Sequence, residues 1–299
     1  MPAPRFKRPL NGVLMLDKVR GASSNAALQQ AKRLYQAAKA GHAGTLDPLA
    51  TGLLPILFGE ATKFSSDLLE ADKSYAAEIR LGVSTATADA EGEVIATRAV
   101  NVTAEQLAAA LANFRGGILQ TPPIYSALKH AGKPLYAYAR AGIEIECSPR
   151  QVTIHALDLQ WFEGERLALA VTCSKGTYIR SIAHDLGEML GCGAHLAALR
   201  RTAVGRFGLG CAHSLESLDA MPATERDARL LPLDALLQDL PEVTLEPAQQ
   251  ARFRQGQAVH WGGPSRERVR VYGSDGALLG VGEANADGTI SPKRVIAQV

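Results

Sequence analysis

Cysteine is scarce in this chain of 299 residues, with four, at 147, 173, 192 and 211, and no C-x-x-C pair. So sparse a set excludes a disulfide scaffold and fits a reducing, cytosolic compartment. Long apolar runs are missing as well. The longest, Leu49 to Phe58, is broken by Gly52 and Pro55 and falls well short of the ~20 residues that span a bilayer, which excludes a membrane segment. Near the basic N-terminus the one apolar run, Gly12 to Leu16, is shorter than the roughly 7 to 15 residues of a signal-peptide core, which argues against export. There is no Gly-x-Gly-x-x-Gly or Walker-type loop, no His-Glu-x-x-His spacing and no Gly-x-Ser-x-Gly elbow. Dinucleotide, nucleotide and zinc enzymes and serine hydrolases are poor candidates on that account. Charge of one sign is not in excess either, since 32 Lys and Arg against 30 Asp and Glu leave +2, too little by itself to announce a nucleic-acid partner.

What is present is ordinary globular material, 46% apolar and 21% charged, in a length that suits about two domains. The charge is unevenly spread. Residues 1–50 hold eight basic side chains, Arg5, Lys7, Arg8, Lys18, Arg20, Lys32, Arg33 and Lys39, against Asp17 and Asp47. Residues 207–246 carry eight carboxylates against Arg226 and Arg229, and residues 247–299 return to a basic excess. Two basic bodies separated by an acidic connector, or simply a solvated surface, would both look like this.

Gly12 to Leu16 reads as a short buried strand, followed by a helix capped at Ser24 with apolar positions at 27, 28, 31, 34, 35 and 38. The two glycines and the proline of Gly41 to Pro48 predict a loop. Lys73 to Val83 alternates, with Tyr75, Ala77, Ile79 and Leu81 on one face, and predicts a half-buried strand. Thr103 with Gln106 makes a capping box before an alanine-rich helix, and Pro134 can open another. Strands follow near Val152 to Phe162 and Leu167 to Cys173. Thr177 is placed to cap a helix with the apolar stripe Ile179, Ile182, Ala183, Leu186 and Leu190, leaving Arg180 and His184 on a different face. Strands and helices mix without regular alternation, which predicts an α+β fold. Pro222, Pro232 and Pro241 punctuate the acidic connector and put a boundary near residue 240, giving domains 1–240 and 241–299. In the tail, Arg268 to Tyr272 and Ala277 to Gly282 are split by Asp275-Gly276, and Asp287-Gly288 marks a second tight turn, which predicts a three-stranded meander or barrel.

The most unusual stretch is Gly41-His-Ala-Gly-Thr-Leu-Asp-Pro-Leu-Ala-Thr-Gly52, with one carboxylate in twelve residues. Beside an apolar run, Asp47 could serve as nucleophile or general base if a cation keeps it ionised. On local sequence alone the plainer reading, in which Asp47-Pro48 starts a turn or caps a helix, is the stronger one. The dodecapeptide closely resembles the catalytic motif of the bacterial tRNA pseudouridine synthase B family. Lys73-Ser-Tyr-Ala76, Gly176-Thr-Tyr-Ile-Arg-Ser-Ile-Ala-His-Asp-Leu-Gly187 and Leu199-Arg-Arg-Thr-Ala-Val-Gly205 resemble that family's other motifs in the same order. One departure is Val19 after Lys18, where the family usually has proline. The resemblance covers roughly residues 11–210.

That resemblance implies a pseudouridine synthase fold, a mixed and largely antiparallel sheet flanked by helices, with a small β-rich PUA-like RNA-binding domain at the C-terminus. It implies isomerisation of the uridine at position 55 in the tRNA T loop, with the glycosidic bond broken and the sugar rejoined to carbon 5. No cofactor and no metal are needed for that. It carries Asp47 over as the catalytic aspartate, Arg180 as its partner and Tyr75 as the platform under the flipped base. Tyr178 and Leu199 would line the uridine pocket, His42 would approach the flipped nucleotide, and Lys18 is matched with them as a substrate-binding residue. Core packing also explains Tyr75 and Leu199 from residue type and alternation. The expected partner is the T arm of tRNA, bound by a cytoplasmic monomer without membrane, guide RNA or protein subunit. A tRNA-binding or folding protein that grips the same loop without chemistry is the alternative.

Overall fold

The computed structural model describes residues 7–126, 128–143 and 145–297; Arg5, counted above among the basic residues, lies outside the described residues. Strand β1, Gly12–Lys18, is buried along nearly its whole length, as its apolar run from Gly12 to Leu16 requires, and the charged Lys18 at its end is buried as well. Helix α1, Ser24–Leu34, follows. Its cap is Ser23, whose side chain accepts the Ala26 N–H, and not Ser24 as the sequence suggested. Two adjacent serines satisfy the capping rule equally, and the outcome is decided by tertiary structure, which needs the second hydroxyl elsewhere.

Strand β2, Ala40–His42, sits where the glycines predicted only loop, and the rest of the motif leads into β3, Thr51–Phe58. Next come β4, Lys73–Leu81, helix α2, Ala104–Ala112 with the Thr103/Gln106 capping box, β5, Gly116–Gln120, β6, Arg150–Glu163, β7, Arg166–Cys173, helix α3, Ile179–Met189, and β8, Ala194–Val204. They build one sheet in the order β1-β3-β8-β4-β7-β6-β5, with β2 added against β3 and a short Phe207–Gly208 strand against β8. Every pairing is antiparallel except β3 with β8, which meet in parallel through Arg200 opposite Thr51 and Arg201 opposite Gly52. The expected α+β architecture with a largely antiparallel sheet is therefore present.

Two apolar clusters flank that parallel junction. One gathers α2 and α3 on β4, β6 and β7, with Leu107, Leu111, Ile179, Ile182 and Leu186 buried. The other packs α1 on β1 and β3 through Leu14, Leu28, Ala31, Ile56 and Phe58. Each leucine, isoleucine or phenylalanine among them contributes roughly 1.5–3 kcal/mol on full burial. Tyr75 and Leu199 pack, partly buried, against both clusters, so they stand at the seam where the sheet's two halves meet. Gly52 makes the junction possible. It adopts φ +96°, and a Cβ there would lie 2.2 Å from the Arg201 carbonyl oxygen.

A second sheet occupies the C-terminal part, with β9, Glu242–Leu245, helix α4, Pro247–Arg254, β10, Val259–His260, β11, Arg266–Gly273, β12, Leu278–Ala284, and β13, Thr289–Val295, in the order β9-β11-β12-β13-β10. The predicted meander is present as β11, β12 and β13. Two strands were missed: β10 has only two residues, and β9 pairs with β11 in parallel, a long-range pairing with no local turn signal. All four cysteines are free.

Candidate active site

Residues 43–50 form a loop held from four sides. Ser24 is buried in the first turn of α1, and its hydroxyl both donates to the Leu46 carbonyl at 2.9 Å and accepts the Leu46 N–H at 2.7 Å. From β8, buried Arg201 donates through Nη2 to the Gly44 carbonyl at 2.9 Å and through Nε to the Leu53 carbonyl at 2.7 Å. The Gly21 N–H reaches the Pro48 carbonyl at 2.8 Å, and the Ala43 N–H reaches that of Pro55 at 3.0 Å. A loop with this many backbone groups tied down presents its side chains in a fixed geometry. Asp47 is the carboxylate it presents.

Arg180 meets it from the first turn of α3. Its Nε lies 2.9 Å from Asp47 Oδ2, an ion contact in which the N–H is not aligned along the line of approach, and 3.7 Å from Asp89 Oδ2. Nη1 donates to the Thr87 carbonyl at 3.0 Å and Nη2 to the Tyr125 carbonyl at 2.8 Å. The guanidinium is thus fixed by carbonyls at one end and shared between two carboxylates at the other. Its side chain is 4% exposed, that of Asp89 6% and that of Asp47 38%, so Asp47 is the member of the trio open to a ligand. Burial pushes the Asp47 carboxyl above the ordinary aspartate range; the Arg180 charge opposes this and the Asp89 charge reinforces it. The expectation that Arg180 lies off the apolar stripe of α3 holds, but it is buried all the same, while His184, expected beside it, is about half exposed at the surface. Nor does Thr177 cap this helix: Tyr178 is the capping residue, and the Thr177 hydroxyl donates to the Ser174 carbonyl instead.

The carboxylate opens into a cleft of about 370 Å³ lined by Asp47, Tyr75, Tyr178, Arg180, Leu199 and Arg201, among others. Five of the sequence-predicted residues are therefore gathered around one cavity. The Tyr75 phenol is pushed up by burial, with the Arg201 charge beside it opposing the shift. Tyr178 is set by a reciprocal pair, its N–H donating to Gln120 Oε1 at 2.7 Å and its carbonyl accepting from Gln120 Nε2 at 3.0 Å. His42 and Lys18 do not line this cleft. His42 is partly buried on β2, its Nδ1 has no hydrogen-bond partner among the described residues, and burial together with Arg201 lowers its pKa. Lys18 is 1% exposed; its ammonium donates to the carbonyls of Val19 at 3.0 Å, Ala22 at 2.7 Å and Pro48 at 3.5 Å, and burial draws its pKa down to about 8. It braces the turn behind the loop rather than the cavity.

Several residues of this machinery escaped the sequence reading. Asp89 carried no local signal, because Ala88 before it adopts φ +58°, which a residue with a Cβ rarely does. That turn aims the Thr87 carbonyl and the Asp89 side chain at the same guanidinium. Arg201 stood in a quoted motif, yet its burial is visible only once β3 and β8 are paired. Among the described residues no group of three His, Cys, Asp or Glu is placed to hold a metal ion.

The model of the TruB family pseudouridylate synthase (N terminal domain) matches residues 32–179. Those of the tRNA pseudouridylate synthase B C-terminal domain and of pseudouridine synthase II TruB, C-terminal, match residues 180–240 and 241–296. A tRNA pseudouridine synthase B of Methylobacillus flagellatus is 54% identical over 299 residues, covering 100% of this chain and 99% of that protein. One of Burkholderia mallei is 56% identical over 303 residues, covering 99% and 97%. Among solved structures, a chain of an H/ACA RNP bound to a substrate RNA containing 2'-deoxyuridine superposes with a TM-score of 0.72 at 23% identity, covering 96% of this chain and 85% of that one. At that identity the likeness bears on the fold.

Proposed function

The chain belongs to the TruB family of pseudouridylate synthases, and from that premise we propose how it acts: it isomerises uridine to pseudouridine in tRNA, at position 55 of the T loop, with Asp47 as the reacting carboxylate. The observation that carries the assignment is the Asp47–Arg180 contact at 2.9 Å inside a cleft that Tyr75, Tyr178 and Leu199 also line. Isomerisation breaks the bond between the sugar and uracil N1, and the freed ring must turn and rejoin the sugar through C5, where the C5 proton leaves to solvent while N1 takes one up. The protein's part is to keep a carboxylate ionised beside the sugar and the ring, and to hold the detached base. Arg180 serves the first need. Tyr75, at the seam of the sheet, offers a flat face for the second. Asp47 then acts as nucleophile or general base.

The remaining site assignments follow from the same reading. Leu199 and Tyr178 border the base, and His42 on β2 approaches the nucleotides next to the flipped one. Lys18 acts through its hold on the Pro48 carbonyl. The second sheet, from Glu242 onward, serves as a PUA-like RNA-binding domain beside the catalytic domain of residues 1–240. The protein works in the cytoplasm as a monomer, without guide RNA or partner subunit.

The test is release of tritium from a T-arm transcript labelled at uracil C5, with the purified chain alone. Release is expected from the wild-type transcript and not from one carrying cytidine at position 55. Release that persists with that substitution would overturn the assigned position, and binding without any release would favour the tRNA-folding alternative.

A further inference from the structure

Nucleic acid brings phosphates to this cleft, and the cations that line it are already committed. Arg180 is held by Asp47, Asp89 and two carbonyls, Arg201 by the carbonyls of Leu53 and Gly44, and buried Lys73 by those of Leu69 and Ala71. One more cation stands at the rim. Lys175 lies between Ser174 and Gly176, which line the cleft, and its ammonium pairs with Glu70, the neighbour of Leu69, which lines it too. Both side chains of the pair remain more than half exposed, 57% for Lys175 and 61% for Glu70.

We propose that Lys175 takes a backbone phosphate of the RNA at the cleft rim, and that Glu70 is the counter-charge which the phosphate displaces. This rests on the reading of the cleft as an RNA site. The chemistry favours the exchange. A solvent-exposed ion pair is weak and screened by salt, so its ammonium is available to a competing anion, whereas the buried guanidinium groups would have to abandon carbonyls that nothing else could satisfy. Gly176 keeps the turn slim. It adopts φ +79° with nothing within 4 Å of where a Cβ would stand, so Lys175 projects at an uncluttered edge. Glu70 neutralises the ammonium until a polyanion arrives.

The experiment is the salt dependence of binding of an unmodified T-arm transcript to the full-length protein, for wild type, Lys175→Gln and Glu70→Gln. Loss of one phosphate contact lowers the slope of log K against log salt concentration by about 0.7–0.9. Lys175→Gln is expected to bind more weakly with that smaller slope, and Glu70→Gln to bind more tightly with the slope preserved. Were the pair only a structural clasp, the two substitutions would shift affinity in the same direction or not at all, and either result overturns the proposal. Melting temperatures of the three proteins identify any variant that fails to fold; should Lys175→Gln do so, Glu70→Gln carries the test, since tighter binding with the slope preserved is expected and unchanged or weaker binding overturns the proposal. Binding is read without turnover, so the outcome is independent of the isomerase reading, which fails separately if wild type makes no pseudouridine.

Discussion

Arg180 touches Asp47 through Nε at 2.9 Å while its other two nitrogens donate to the carbonyls of Thr87 and Tyr125. The arginine thus keeps the carboxylate charged and, being anchored at its far end, fixes where that charge sits. A lysine could supply the first property and not the second, since an ammonium on a flexible stem cannot make this planar set of contacts.

Arg180→Lys is therefore expected to lower kcat by about 10²-fold, the scale on which a misplacement of ~1 Å acts. Arg180→Met should lose more, and should also cost about 3 kcal/mol of stability, because Asp89 is left buried without its counter-charge. Single-turnover kinetics and denaturant unfolding separate the two effects. Equal rates for the lysine variant and wild type would contradict the positioning role.

Ser24 makes a second test, remote from the chemistry. Ser24→Ala removes both hydrogen bonds to Leu46 and leaves a buried N–H and carbonyl unsatisfied, at a cost of about 2 kcal/mol. Since the loop bearing Asp47 loses an anchor, kcat should fall by about tenfold or more with little change in KM. A stable variant with unaltered kcat would show that the loop is held without Ser24.

The pH dependence follows from the direction of the Asp47 shift. Burial raises this carboxyl above the ordinary aspartate range, and a nucleophile or base must be ionised, so activity is present above the raised pKa and is lost as pH falls through it. The acid limb of single-turnover rate against pH should thus lie above the range of a free aspartate. Asp89→Asn, which removes a like charge, should move the limb to lower pH. A limb at or below the ordinary range in wild type would contradict the shift.

Much of this was legible in the chain before any fold was known. The alternation that puts Tyr75 in line with Ala77 and Ile79, the 103–106 capping box and the stripe of α3 are local patterns, and local geometry follows them. The twelve-residue motif likewise pointed to Asp47. What stayed hidden depends on distant segments meeting: the parallel seam of β3 and β8 that buries Arg201, the hydroxyl of Ser24 turned from cap to loop anchor, and Asp89 set against the guanidinium of Arg180. No residue's neighbours in sequence announce these, because the stabilising partner lies tens to more than a hundred positions away.

The most direct measurement is made on Asp47→Asn, by mapping pseudouridine in a T-arm transcript after prolonged incubation and measuring the affinity of the same protein for that transcript. The substitution keeps the size of the side chain and removes its ionisable oxygen. No pseudouridine at position 55, with affinity close to that of wild type, is the predicted result. Pseudouridine formed at the wild-type rate would contradict the assignment of Asp47 as the reacting group.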